Sequence, residues 1–89
     1  MATFLISYDL KQPGRDYEDL YKRIKSYPTW CHPVESTWFV VSESNCEKIR
    51  NHLSPALDKN DRLIVADMAG NGAWSGMSTT ITNWLKKNL

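Results

Sequence analysis

At 89 residues, 42% hydrophobic and 24% charged, the chain is sized for one domain spanning 1–89 with a packed core, which excludes a disordered chain. A net charge of +1, from 11 Lys+Arg against 10 Asp+Glu, excludes the strongly basic nucleic-acid binders by bulk charge, though not a local basic patch. No apolar run reaches bilayer-spanning length and no secretory leader pattern is present, so the expectation is a cytoplasmic protein without a membrane partner, its two cysteines reduced.

The first element, Thr3 to Leu10, is apolar almost throughout and reads as a central strand buried on both faces. Lys11-Gln12-Pro13-Gly14-Arg15 reads as a turn around Pro-Gly. Asp16 then suits the N-cap of a helix to about Ser26. Tyr17, Leu20, Tyr21 and Ile24 give that helix one apolar face. Tyr27-Pro28 stops it, because the residue before proline disfavours the α region.

Thr29 to Glu35 reads as a short edge strand, since Pro33 cannot donate to a ladder. Ser36 to Ser42 is the clearest strand. Ser44 and Glu47 have capping-box spacing and open a second helix with Cys46, Ile49, Leu53 and Leu57 as its stripe. Pro55 kinks that helix or ends its regular part. Arg62 to Met68 reads as another buried strand, Gly70-Asn71-Gly72 as a break, and Ser78 to Leu89 as a last helix with Ile81, Trp84 and Leu85 inward.

The order is β-α-β-β-α-β plus a C-terminal tail, the split βαβ or ferredoxin-like pattern of the α+β class. Two helices would cover one sheet face. The first and last main strands are apolar on both sides, so the other face needs a second layer. That layer is expected to be the tail helix or a second subunit, and a homodimer is expected in solution.

Asp9 is the most informative residue. A carboxylate is costly at the end of a doubly apolar strand, and there it can reach a crevice and hold a hard cation. It can equally begin the turn at Gln12-Pro13-Gly14 by bonding its own backbone. Asp67 is either a second carboxylate or a strand-end residue facing water. Lys11 and Arg15 flank the turn after Asp9 and Arg62 starts a strand; together they can hold a phosphate, or simply be solvated. Ser36 and Thr37 open a strand and can bind phosphate or merely fit a pleated surface.

Cys31, His32, Cys46 and His52 are zinc ligands by type, but not by spacing. Cys31 and His32 are adjacent on a strand and point to opposite faces. Cys46 and His52 are about 240° apart on a helix. No disulfide and no zinc are therefore expected. Gly70-Asn71-Gly72 lacks the context of a phosphate-cradling loop.

Phe4-Leu5-Ile6-Ser7-Tyr8-Asp9-Leu10, a helix ending in Ser26-Tyr27, and Val34-Glu35-Ser36-Thr37-Trp38-Phe39-Val40-Val41 together resemble the small CRISPR-associated endoribonucleases. These form the dimeric subunit of the spacer-acquisition complex, and virulence-associated protein D is a relative. The likeness covers roughly Phe4 to Met68 in element order, with residue matches in the two strand motifs. It implies an antiviral-defence type of ferredoxin-like homodimer in which Asp9 from both copies binds Mg²⁺ and hydrolyses phosphodiesters of RNA or DNA. Asp9 carries over as catalytic residue and metal ligand, with Tyr8 and Ser36 beside it; the residues themselves add Lys11 and Arg15 as substrate contacts. The chain departs from the pattern at the acidic Asp16-Tyr17-Glu18-Asp19, at Pro28-Thr29 where a glycine is usual, and from Trp74 onward.

Two function classes follow. The Tyr8-Asp9 strand end favours a metal-dependent nuclease. The acidic first helix and near-zero net charge favour a non-catalytic dimer that binds a nucleotide or a protein, such as a phage or mobile-element factor or an antitoxin-like partner.

Overall fold

The structure is a computed structural model and describes residues 1–11 and 16–89. The expected element order is present. Strand β1 runs Ala2–Asp9, helix α1 Glu18–Lys25, β2 Thr29–Val34, β3 Thr37–Ser42, α2 Cys46–Leu53, β4 Arg62–Asp67 and α3 Thr79–Asn88. The Pro-Gly turn expected after Lys11 lies outside the described residues at 12–15. The strands form one antiparallel sheet in the order β2-β3-β1-β4. This α+β arrangement is consistent with a ferredoxin-like fold. No helix among the described residues is long and apolar enough to cross a membrane.

Strand alternation sorts β1 between two layers. Phe4, Ile6 and Tyr8 turn to one face and join Leu20 and Ile24 of α1 and Ile49 and Leu53 of α2 in the core. Ile6, Leu20, Ile24, Val40, Ile49 and Leu53 are fully buried. Each such side chain contributes about 1.5–3 kcal/mol relative to exposure.

The opposite face carries Thr3 and Leu5. Its cover is the tail helix, one of the two expected solutions. Leu85 of α3 is buried, and so are Cys31 and Val41 of the sheet. The Trp84 indole N–H donates to the Thr29 hydroxyl at 2.8 Å, and the Thr3 hydroxyl donates to the Asn88 carbonyl. The chain reaches this face through Gly70, whose φ of +81° suits glycine, and Gly72, where a Cβ would come within 2.5 Å of Leu89 Cδ2.

Three local expectations need correction. Strand β4 is not buried: it is an edge, and Ile64 is 63% exposed. The second helix is capped by Asn45, not Ser44. Asn45 has extended backbone and its side chain accepts the Lys48 N–H at 2.9 Å. Asp16 stands one residue too early to be the cap of α1, whose N-cap is Tyr17; the Asp16 carboxylate still accepts the Glu18 N–H at 2.9 Å. Pro55 acts as expected, since α2 gives way to one 3-10 turn at Ser54–Ala56.

Candidate functional site at the end of strand β1

Antiparallel pairing brings two chain segments to the end of β1: the hairpin turn Glu35-Ser36 between β2 and β3, and the start of β4 at Arg62. The Tyr8 N–H donates to the Ser36 carbonyl at 3.1 Å, which ties the hairpin turn to the strand end. Asp9 stands opposite Arg62 in the β1–β4 register.

Tyr8, Asp9, Leu10, Tyr21, Glu35 and Ser36 line one open pocket of about 270 Å³. Three of the residues singled out in the sequence, Tyr8, Asp9 and Ser36, therefore meet. Lys11 stands beside them: its Nζ is 2.8 Å from Asp9 Oδ2. Both side chains are about half exposed, so this pair holds little stabilisation, at most about 1 kcal/mol. Its value lies in placing a cation beside the carboxylate. Arg15 lies outside the described residues.

Tyr8 forms the inner wall. Its phenol is raised above the ordinary tyrosine range, mainly by burial; the Trp38 N–H opposes the rise and the nearby Glu35 charge adds to it. The Tyr8 oxygen accepts the Trp38 indole N–H at 2.9 Å, which fixes the ring. Behind the site, Asp61 accepts the Lys11 backbone N–H at 2.6 Å, the Tyr17 hydroxyl at 2.8 Å and the Asp58 backbone N–H at 2.8 Å. One carboxylate thus anchors the exit of β1 to the start of α1 and to the turn before β4.

Glu35 was not singled out in the sequence, where it reads as the end of an edge strand. Only the pairing of β1 with β3 shows that it faces Tyr8. Asp67 registers with Phe4, far along β1 from Asp9, so the two carboxylates do not share a site. His32 and Cys31 point to opposite faces: Cys31 is buried under α3 and His32 is exposed. The His52 Nδ1 bonds to the Tyr27 hydroxyl at 2.9 Å. Both cysteines are free.

The pocket's donor set is oxygen: two carboxylates, a hydroxyl and two phenols. That chemistry suits a hard cation, and Mg²⁺ is commonly held by one or two carboxylates with water and phosphate oxygens completing its shell. Among the described residues, no group of three or more His, Cys, Asp or Glu is placed to hold a metal. Asp9 and Glu35 supply two.

No protein-family model matches the chain, and no solved structure matches it. The likeness carried by the two strand motifs rests on those residues alone.

Proposed function

We propose that this chain acts as a homodimer on RNA or DNA, hydrolysing phosphodiesters at the end of β1 with Mg²⁺ held by Asp9 and Glu35. The observation that carries this reading is the meeting of Asp9, Glu35, Ser36 and Tyr8 in one pocket with Lys11 alongside. The ion would supply charge neutralisation at the phosphate. Lys11, released from Asp9, pairs with a phosphate oxygen, and the Ser36 hydroxyl orients it. The dimer draws support from apolar residues on the two edge strands that α3 does not fully cover, Ile64 at 63% and Val34 at 49% exposed.

The second reading, a non-catalytic nucleotide-binding dimer, is favoured by one contact. Lys11 already neutralises Asp9 at 2.8 Å, so a metal must displace it.

The test is cleavage of labelled RNA and DNA with Mg²⁺ and with EDTA. Wild type should cut only with Mg²⁺. Asp9→Asn and Glu35→Gln should each lose about 100-fold or more of the rate. A wild type that binds a nucleotide but cuts nothing leaves the second reading in place. Light scattering that returns a mass near 10.3 kDa at micromolar concentration would remove the dimer.

A further inference from the structure

The helix side of β2 carries an aromatic ledge that the hydrolytic chemistry does not use. The His32 imidazole lies flat on the Trp38 indole, with 3.7 Å between centroids and 9° between planes. Trp30 leans on the same indole at 5.4 Å and 56°. Tyr21 extends the cluster on the α1 side, 6.2 Å from Trp38. Trp30 and His32 are two residues apart on a strand and so share a face, and both are exposed.

The ledge is held by side-chain contacts, and lysines flank it. His32 is held by a 2.9 Å bond between its Nε2 and the Glu35 carbonyl. Lys25, in the last turn of α1, places its Nζ 5.3 Å from the Trp30 ring and 6.0 Å from Trp38. Lys22 is exposed one turn earlier. The Arg23 charge is directed elsewhere, to Asp19 and to the His52 carbonyl. Glu35 is the acidic neighbour at the pocket end.

Exposed aromatic residues with ammonium groups against them match one ligand chemistry in both parts. Unpaired bases stack on rings whatever their sequence, while the phosphates that follow them pair with lysines. A duplex keeps its base faces covered and cannot use the rings. An apolar protein surface would bury the Lys25 ammonium with no anion to pair it.

We infer that Trp30, His32 and Lys25 form a stacking platform for unpaired bases of a single-stranded nucleic acid. Trp38 joins this platform to the pocket, because it stacks under His32 and donates to Tyr8. The inference rests on the proposed function only for the kind of polymer bound, and binding here needs no hydrolysis.

The test is fluorescence anisotropy with a short labelled single strand and with the matching duplex, in EDTA so that no metal-dependent cleavage intervenes. The single strand should bind at least about tenfold more tightly than the duplex. Trp30→Ala should weaken it about 5- to 100-fold, the scale of one lost stack, and Trp30→Phe should restore most of the affinity. Trp30 is exposed, so both variants should keep the wild-type circular dichroism spectrum. Asp9→Asn should keep binding and tighten it, because it removes a negative charge and frees Lys11 for a phosphate. Equal affinity for duplex, or unchanged affinity in Trp30→Ala, overturns the platform. Loss of binding in Asp9→Asn but not in Trp30→Ala also overturns it and leaves the hydrolytic site standing. Binding intact in every variant except Trp30→Ala, with no cleavage by wild type, sinks the hydrolytic reading and keeps the platform.

Discussion

Trp38 donates its indole N–H to the Tyr8 oxygen at 2.9 Å, diagonally across the β1–β3 pair. Trp38 stands opposite Ile6, so Tyr8 is its neighbour two residues along the same face. The contact links the floor of the aromatic ledge to the wall of the pocket. It also gives the indole N–H, in a residue only 2% exposed, its acceptor.

Tyr8→Phe should therefore cost about 1–3 kcal/mol, because the Trp38 N–H stays buried without a partner. Urea denaturation measures this. An unchanged midpoint would mean that water or another acceptor takes over the bond. Trp38→Phe should cost more, since it also opens a cavity and removes the surface on which His32 lies.

Alkaline stability should fall above about pH 10. Burial raises both the Tyr8 and the Tyr27 phenols above 10.0. In the unfolded chain they ionise near that value. The folded state then holds protons that the unfolded state has released, so the contribution of the two phenols is full below about pH 10 and declines as pH climbs through the folded values. Cys31, raised by burial from 9.0, acts in the same direction from about pH 9. Urea midpoints across this range should drop, and by less in Tyr27→Phe.

The two thiols should differ in reactivity. Cys31 is buried under α3 with its thiol pushed up by burial, whereas Cys46 is half-buried at the first turn of α2. The thiolate is the reactive form, so Cys31 is protected twice. A disulfide reagent should label one thiol in the native protein and the second only on unfolding. Two equally fast reactions would show that α3 does not stay on the sheet.

Asp61→Ala should be among the costlier exposed-to-half-buried changes. It leaves the Lys11 N–H, the Tyr17 hydroxyl and the Asp58 N–H without their carboxylate. Bonds to a charged acceptor contribute about 1.5–3 kcal/mol each, and solvent recovers part of that. A net loss of about 2–3 kcal/mol in urea is expected. The Asp9 pocket should loosen with it, because Lys11 is positioned from behind by the same carboxylate.

Much of the fold was legible because its signals are local. Tyr17, Leu20, Tyr21 and Ile24 declare one helix face by spacing alone, and Pro55 and Pro28 end helices by their missing N–H and their clash. The failures are of two kinds. Ser44 and Asn45 are both good caps, and Ser44 had the better-spaced glutamate; the choice of Asn45 depends on which residue is extended. Strand β4 reads as buried because Leu63, Ile64 and Val65 are contiguous, but whether a strand is central or at an edge depends on its partners. The same limit hid Glu35, which lies 26 residues from Asp9 in sequence and acquires meaning only when the β2–β3 turn meets the end of β1.

The central place of β1 also governs how the chain can fold. Its two hydrogen-bonding neighbours begin at Thr37 and Arg62, so neither is local. Closing such distant contacts requires large loops to be drawn in before any ladder forms, which gives a high contact order and slow folding for so short a chain. During synthesis, Phe4, Ile6 and Tyr8 emerge early and wait for partners made much later. Over that interval β1 is an apolar strand with both edges unpaired, the form most prone to association with other chains, and assembly of β4 is the step that ends the exposure.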